Sequence, residues 1–146
     1  NTDWGVLLLF GGGITLSSLL DKSGASLALG QALASSFTTT DPFFVILAVT
    51  TFIIILTEFT SNTASAALLV PVFASIATQL NLPKEALVLV IGIGASCAFM
   101  LPVATPPNAI VFGTGLIRQR EMMAVGMVLN VLCIILLTLW AYFFLM

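Results

Sequence analysis

A cluster of small polar side chains at residues 57–63 separates two apolar stretches, and it constrains the fold more than any other feature. The cluster reads Thr-Glu-Phe-Thr-Ser-Asn-Thr. The stretch before it, residues 42–56, would extend roughly 22 Å as a helix, whereas the hydrocarbon core of a bilayer is about 30 Å thick. The stretch after it covers residues 64–80. Polar ends on short apolar helices are typical of the ion and substrate sites of membrane transporters.

The composition places the chain in a membrane. It is 60% hydrophobic and 7% charged, and a soluble domain of this length could not cover its surface with so few charges. We therefore predict an all-α membrane protein. The sequence has no basic patch interleaved with aromatic residues, which argues against nucleic acid as a partner. The charged residues other than Glu58 lie at or near predicted segment ends: Asp3, Asp21, Lys22, Asp41, Lys84, Glu85, Arg118, Arg120 and Glu121.

Apolar runs and turn residues divide the chain into four predicted segments. Residues 1–40 are expected to form a transmembrane helix and an interfacial connector helix. Residues 41–83 predict a re-entrant helical hairpin, residues 84–121 a broken transmembrane helix, and residues 122–146 a C-terminal transmembrane helix.

The hairpin prediction rests on the two short arms and on the start of the first. Asp41 followed by Pro42 is typical of a helix N-terminus. A polar tip inside the membrane is tolerated only where it is buried in protein or lines an aqueous cavity. The alternative is one tilted helix over residues 45–69, which would place Glu58 near mid-membrane. Glu58 could be a proton acceptor or cation ligand, or it could hydrogen-bond the hairpin backbone.

A second interruption falls within the apolar segment that begins at Ala86. We expect a helix over residues 86–101 that Pro102, Pro106 and Pro107 then break, because proline removes a backbone donor and clashes with the preceding turn. Carbonyl groups freed by this break would need a ligand or a neighbouring chain. The plainer alternative is a proline kink used for packing.

The residues at the predicted hairpin tip could bind either an anion or a cation. Ser61, Asn62 and Thr63 precede a predicted helix start near Ala64, where unbonded N–H groups favour a carboxylate or sulfate. The preceding arm ends near Thr57, and its carbonyl and hydroxyl oxygens suit a hard cation. The alternative is a simple helix cap in a loop.

The positions of the basic residues constrain both the topology and the mechanism. Arg118 and Arg120 predict a cytoplasmic loop, with the aromatic belt of Trp140 and Tyr142 at the other face and both hairpin ends extracytoplasmic. No lysine or arginine is expected at the midplane. An anion bound there would therefore need a cation bound beside it.

Two motifs resemble those of a known family, the divalent anion:sodium symporters, which carry dicarboxylates, citrate or sulfate. Residues 96–111, Ser-Cys-Ala-Phe-Met-Leu-Pro-Val-Ala-Thr-Pro-Pro-Asn-Ala-Ile-Val, resemble that family's signature. The triplet Ser61, Asn62 and Thr63 resembles the second of two Ser-Asn-Thr motifs at the tips of the family's paired hairpins. The whole chain is most similar to the C-terminal repeat of a bacterial sodium/dicarboxylate symporter.

The resemblance implies two sets of site residues. The substrate set is Ser61, Asn62, Thr63, Thr105 and Pro106. The sodium set is Thr57, Ser61, Asn62 and, through its backbone oxygen, Ala104.

The resemblance also implies an architecture and partners. It implies a homodimer in the bacterial inner membrane, in contact with lipid, that couples sodium uptake to a dicarboxylate such as succinate by elevator-type alternating access. The family has two inverted repeats, and this chain corresponds to one. We therefore expect the N-terminal repeat to lie elsewhere, and an isolated chain not to transport.

Rival interpretations are a passive anion channel subunit and a structural membrane subunit. An enzyme is not expected, because a chain without histidine has no evident base beyond Glu58.

Overall fold

The computed structural model describes residues 41–146 and, before them, only residues 8, 11, 12, 15, 18, 19, 22–25 and 28. Apart from those positions, the transmembrane and connector helices predicted within residues 1–40 lie outside the described residues.

Five helices make up the continuous described part of the chain, which contains no strand. This confirms the all-α class for the described residues. Two of the helices, the first and the last, are long and apolar enough to cross a membrane. In chain order the helices are α1 (Pro42–Phe59), α2 (Asn62–Gln79), α3 (Lys84–Gly94), α4 (Pro106–Gly113) and α5 (Gln119–Leu145).

Helix α1 begins where the sequence predicts and ends later. The Asp41 carboxylate accepts a hydrogen bond from the Phe43 backbone N–H at 3.0 Å, and Pro42 occupies the first turn. The predicted end at residue 56 is wrong, because the helix continues to Phe59. Thr57 is fully buried there and donates its hydroxyl to the Ala95 carbonyl at 2.7 Å. Because its hydroxyl has this partner, Thr57 can be buried within the helix, and the helix does not have to end before it.

The chain breaks between α1 and α2 at two residues with extended backbone, Thr60 (φ −129°, ψ 164°) and Ser61 (φ −65°, ψ 133°). It is therefore not one continuous helix over residues 45–69. The Phe52 and Phe73 ring centroids lie 6.2 Å apart. Since these rings belong to α1 and α2 respectively, α2 folds back beside α1.

Helix α3 lies at the centre of the bundle. It packs against α1, α2 and α5, and its Leu87, Val90 and Ile91 side chains are fully buried. At its end, a Cβ added to Gly94 would lie 2.6 Å from Cγ2 of Ile53 in α1. The absence of a side chain at Gly94 thus allows α3 and α1 to approach closely.

The helix predicted over residues 86–101 is wrong at its end, because α3 stops at Gly94 and helical structure resumes only with α4 at Pro106. The intervening residues 95–105 form turns and irregular backbone. Three of their N–H groups, at residues 99–101, bond to the Glu58 side chain, and the carbonyls of Ala98 and Leu101 accept from the Asn108 side chain.

Labelling of single cysteines from either side of the membrane tests the predicted topology. We expect Gln119→Cys, next to the exposed Arg118 and Arg120, to react with an impermeant maleimide only after the membrane is opened. We expect Gln79→Cys, at the exposed end of α2, to react in intact cells. Gln79 is preferable to Asn81, whose φ of 55° a cysteine would adopt only with strain. The reverse pattern of labelling would invert the topology.

Candidate functional site

The Glu58 carboxylate, 3% exposed, joins three parts of the bundle. Its Oε1 accepts hydrogen bonds from the N–H groups of Phe99 at 2.8 Å and Met100 at 3.0 Å, and from the Asn130 side-chain amide at 2.7 Å. Its Oε2 accepts from the N–H of Leu101 at 3.1 Å. Three successive backbone N–H groups form a concave anion site of the kind that proteins also use for phosphate. Here that site holds a carboxylate of the chain itself.

This geometry narrows the roles that the sequence leaves open for Glu58. Every hydrogen-bond partner of the carboxylate is a donor, and no lysine or arginine contacts it within the described residues. A proton or a cation would have to displace these donors. The arrangement favours a structural acceptor, although the backbone that it holds is the turn at residues 99–101 and not the hairpin tip.

Three oxygen atoms converge beside the break between α1 and α2. The Thr57 hydroxyl oxygen lies 2.7 Å from the Asn62 side-chain oxygen and 2.7 Å from the Ala95 carbonyl oxygen. A hydroxyl has one proton and can donate it to only one of these acceptors. With this amide orientation, one close oxygen–oxygen contact therefore has no hydrogen between its atoms. Rotation of the Asn62 amide, which would bring its NH₂ donor to the hydroxyl, would relieve that repulsion, and so would a hard cation bound among the three oxygens.

At the start of α2, some backbone N–H groups have no hydrogen-bond acceptor among the described residues. Ser61 caps the helix, its hydroxyl oxygen accepting from the Ala64 N–H at 3.5 Å and its carbonyl from the Ser65 N–H at 2.8 Å. Among the described residues, nothing accepts a hydrogen bond from the backbone N–H of Asn62 or Thr63. Ser61 and Thr63 are exposed, and Asn62 is half-buried. An anion can therefore reach the positive end of this helix.

At the second interruption, side chains of the same segment form hydrogen bonds with several of its backbone N–H and carbonyl groups. Thr105 caps α4, its hydroxyl oxygen accepting from the Asn108 N–H at 3.4 Å, and Pro106 follows in the first turn. The Asn108 side-chain amide donates to the carbonyls of Ala98 at 3.1 Å and Leu101 at 3.0 Å. We expected a ligand or a neighbouring chain to satisfy the carbonyls freed here. For these two carbonyls that expectation is wrong, because Asn108 reaches back to them.

The structure brings some of the implied site residues into contact. Thr57 and Asn62 are in contact, and Ser61 and Thr63 flank Asn62. Ala104 is 8% exposed. Within the described part of the chain, however, no hydrogen bond connects residues 104–106 to residues 61–63. Their convergence around one substrate stays a prediction.

Sequence reasoning assigned no individual role to three groups near the site, although Thr60 belongs to the polar cluster at residues 57–63. Thr60 lies in the break, where its hydroxyl donates to the Leu56 carbonyl at 3.0 Å and lies 2.6 Å from the Ser65 hydroxyl oxygen. Asn130 could have been found, because it is an isolated amide in an otherwise apolar span. The Ala95 carbonyl belongs to the backbone, so its sequence position carries no signal.

Three relatives found by comparison with known proteins are all named as transporters. A transporter from Haemophilus influenzae, named only as uncharacterized, is 58% identical over 144 residues, which is 99% of this chain and 31% of that protein. A second such transporter, from Methanocaldococcus jannaschii, is 42% identical over 98% of this chain and 32% of its own length. The sodium-dependent dicarboxylate transporter SdcS of Staphylococcus saprophyticus is 43% identical over 96% of this chain and 27% of its length.

The chain thus spans about a third of the length of these relatives. The family model that describes the transmembrane region of sodium:sulfate symporters matches residues 1–146. This match and the relatives, which are named as transporters and not as enzymes, confirm the resemblance and the prediction of a membrane protein. The chain belongs to the sodium:sulfate symporter family.

Proposed function

We propose that the full-length protein takes up a dicarboxylate such as succinate together with sodium. The family and the relative named as a sodium-dependent dicarboxylate transporter support this function. The observation that carries it is the oxygen cluster of Thr57, Asn62 and Ala95, which adjoins the unbonded N–H groups at the start of α2. A cation site and an anion site there would share one side chain.

The proposed sodium ligands are Thr57, Ser61, Asn62 and the backbone oxygen of Ala104. The contact between the Thr57 and Asn62 oxygens supports the first part of this set. Ala95 adds a carbonyl oxygen that neither the sequence nor the resemblance indicates. Sodium would be held by lone pairs of these oxygens, and the Thr57 hydroxyl would keep its proton.

The proposed substrate ligands are Ser61, Asn62 and Thr63 on one side, and Thr105 and Pro106 on the other. A helix N-terminus offers roughly half a positive charge, which is small against the two negative charges of a dicarboxylate. All four basic side chains, Lys22, Lys84, Arg118 and Arg120, are exposed at the ends of segments. Co-bound sodium would supply the missing positive charge, which makes anion binding dependent on sodium.

We also propose that α1 and α2 form a re-entrant hairpin, and that α3 and α4 are two parts of one broken transmembrane helix. Helix α3, with 11 residues, extends about 16 Å, and α4, with 8 residues, about 12 Å. Neither can cross a hydrocarbon core of about 30 Å alone. Helix α1 extends about 27 Å with its 18 residues, so its re-entrant character rests on its polar end.

The rest of the proposed assembly lies beyond this chain. The other inverted repeat would come from the remainder of the full-length protein, consistent with a chain that covers about a third of its relatives. Two copies would form a homodimer, within which the hairpin moves across the membrane by elevator-type alternating access.

Calorimetric titration of the purified full-length protein with succinate tests the dependence on sodium. We expect binding in sodium buffer and none in potassium buffer of the same ionic strength, because this chain places no basic side chain at the proposed site to neutralise the anion. Equal affinity in both buffers would contradict sodium coupling. Sodium-independent flux through the protein in liposomes would instead favour a passive channel subunit.

The substitution Asn62→Asp tests the shared side chain. An amide presents oxygen to a cation and N–H to a carboxylate at the same time, whereas a carboxylate at this position would repel the substrate. We expect succinate uptake to fall to background while the protein remains folded.

The control is Asn81→Asp, which adds the same charge at the exposed turn after α2. This variant should transport like the wild type. Wild-type uptake by Asn62→Asp would show that the hairpin tip does not bind the substrate.

A further inference from the structure

One face of α5 receives the turn at residues 99–101. Gly126 and Asn130 are four residues apart and so lie on the same side of the helix. A Cβ added to Gly126 would lie 2.6 Å from the Met100 Cα and would also collide with the Phe99 carbonyl oxygen. The backbone of the turn therefore rests directly on α5 at Gly126, while Asn130, 5% exposed, bonds to Glu58 one helical turn further on.

We propose that Glu58, Asn130 and Gly126 form a clamp that positions the turn at residues 99–101, and with it the proposed ligands Ala104 to Pro106. In this assignment Glu58 is a positioning residue and does not itself bind sodium, a proton or the substrate. The inference rests on the proposed function, and it assigns roles to residues outside both proposed ligand sets.

The clamp is connected to both interruptions, through the chain itself on one side and through hydrogen bonds on the other. On one side, Glu58 follows Thr57 directly in α1, and Thr57 contacts Asn62. On the other side, the Leu101 carbonyl accepts from the Asn108 amide, and Asn108 lies in the first turn of α4 that Thr105 caps. Glu58 thus fixes the end of α1 relative to the start of α4. These are the two places from which the proposed ligands come.

The hydrogen bonds at Glu58 explain why a side chain of the same size and shape could not hold the turn at residues 99–101 unless both of its terminal atoms were acceptors. Glutamine has the same size, but one of its two terminal groups is an NH₂ donor. Oε1 and Oε2 of Glu58 both accept from backbone N–H groups. In Glu58→Gln, at least one backbone N–H group would therefore face another donor, and the turn would shift or lose its fixed position.

Succinate uptake by the full-length protein in liposomes tests the clamp, with Glu58→Gln, Gly126→Ala and the double variant compared. Each single change should raise the sodium concentration for half-maximal uptake by about tenfold, as expected for the loss of a buried hydrogen bond to a charged group or for overpacking. The succinate KM should rise as well, because the same turn leads to both ligand sets. The pH dependence of uptake should keep its wild-type shape.

The double variant distinguishes positioning from direct binding. If both changes act by displacing one turn, their effects should not add, and the double variant should resemble the worse single variant. The matched control is Gly92→Ala, since a Cβ added at that position meets nothing within 4 Å. This control should keep the wild-type sodium requirement.

Several results would overturn the clamp. An altered pH profile in Glu58→Gln would identify Glu58 as a proton carrier. Effects that multiply in the double variant would indicate that Glu58 binds the cation independently of the turn. If Glu58→Gln does not fold, the same comparison of Asn130→Ala with Gly126→Ala gives the answer, and additive effects there would equally contradict the proposal.

The wild-type protein separates this inference from the function on which it rests. Uptake by the wild type that does not depend on sodium would overturn the proposed function, and the clamp's role in it as well. Sodium-dependent wild-type uptake with unchanged Glu58→Gln and Gly126→Ala variants would overturn the clamp alone.

Discussion

The hydrogen bonds between the Glu58 carboxylate and the turn at residues 99–101 are the interaction on which the rest of the described structure depends. A buried carboxylate is costly unless it is hydrogen-bonded, and here four N–H donors surround it. Three of them are backbone groups that a continuing α3 would have used within the helix. The carboxylate thus favours the early end of α3 at Gly94 and holds the irregular backbone that follows it.

The starts of α1 and α2 could be predicted from the sequence because their signals are local. Pro106 and Pro107, which were interpreted only as a break, in fact lie in the first turn of α4. Asp41 and Pro42 begin α1, and Ser61 caps α2. Each of these signals involves residues no more than four positions apart. The long apolar span after residue 121 was equally evident, since its composition alone indicates a membrane helix.

The ends of α1 and α3 could not be predicted, because contacts between distant residues set them, whereas α2 ends at Gln79, one residue from the predicted limit. Helix α1 continues past residue 56 since Thr57 and Glu58 find partners about 40 positions away. In the candidate site, the side chains of Thr57 and Asn62 were named from the sequence. The Ala95 carbonyl could not be, because any residue type provides one. No hydrogen bond connects the Ser61, Asn62 and Thr63 triplet to residues 104–106 within the described residues, so their common role is a proposal.

The proposed function requires sodium to balance the charge of the substrate at a site that has partial charges only. Substrate-driven uptake of radioactive sodium by the full-length protein in liposomes tests this most directly. We expect an inward succinate gradient to drive sodium accumulation in the wild type. Thr57→Val, which keeps the side-chain shape but removes the hydroxyl, should abolish it. Succinate uptake that carries no sodium would contradict the proposed coupling.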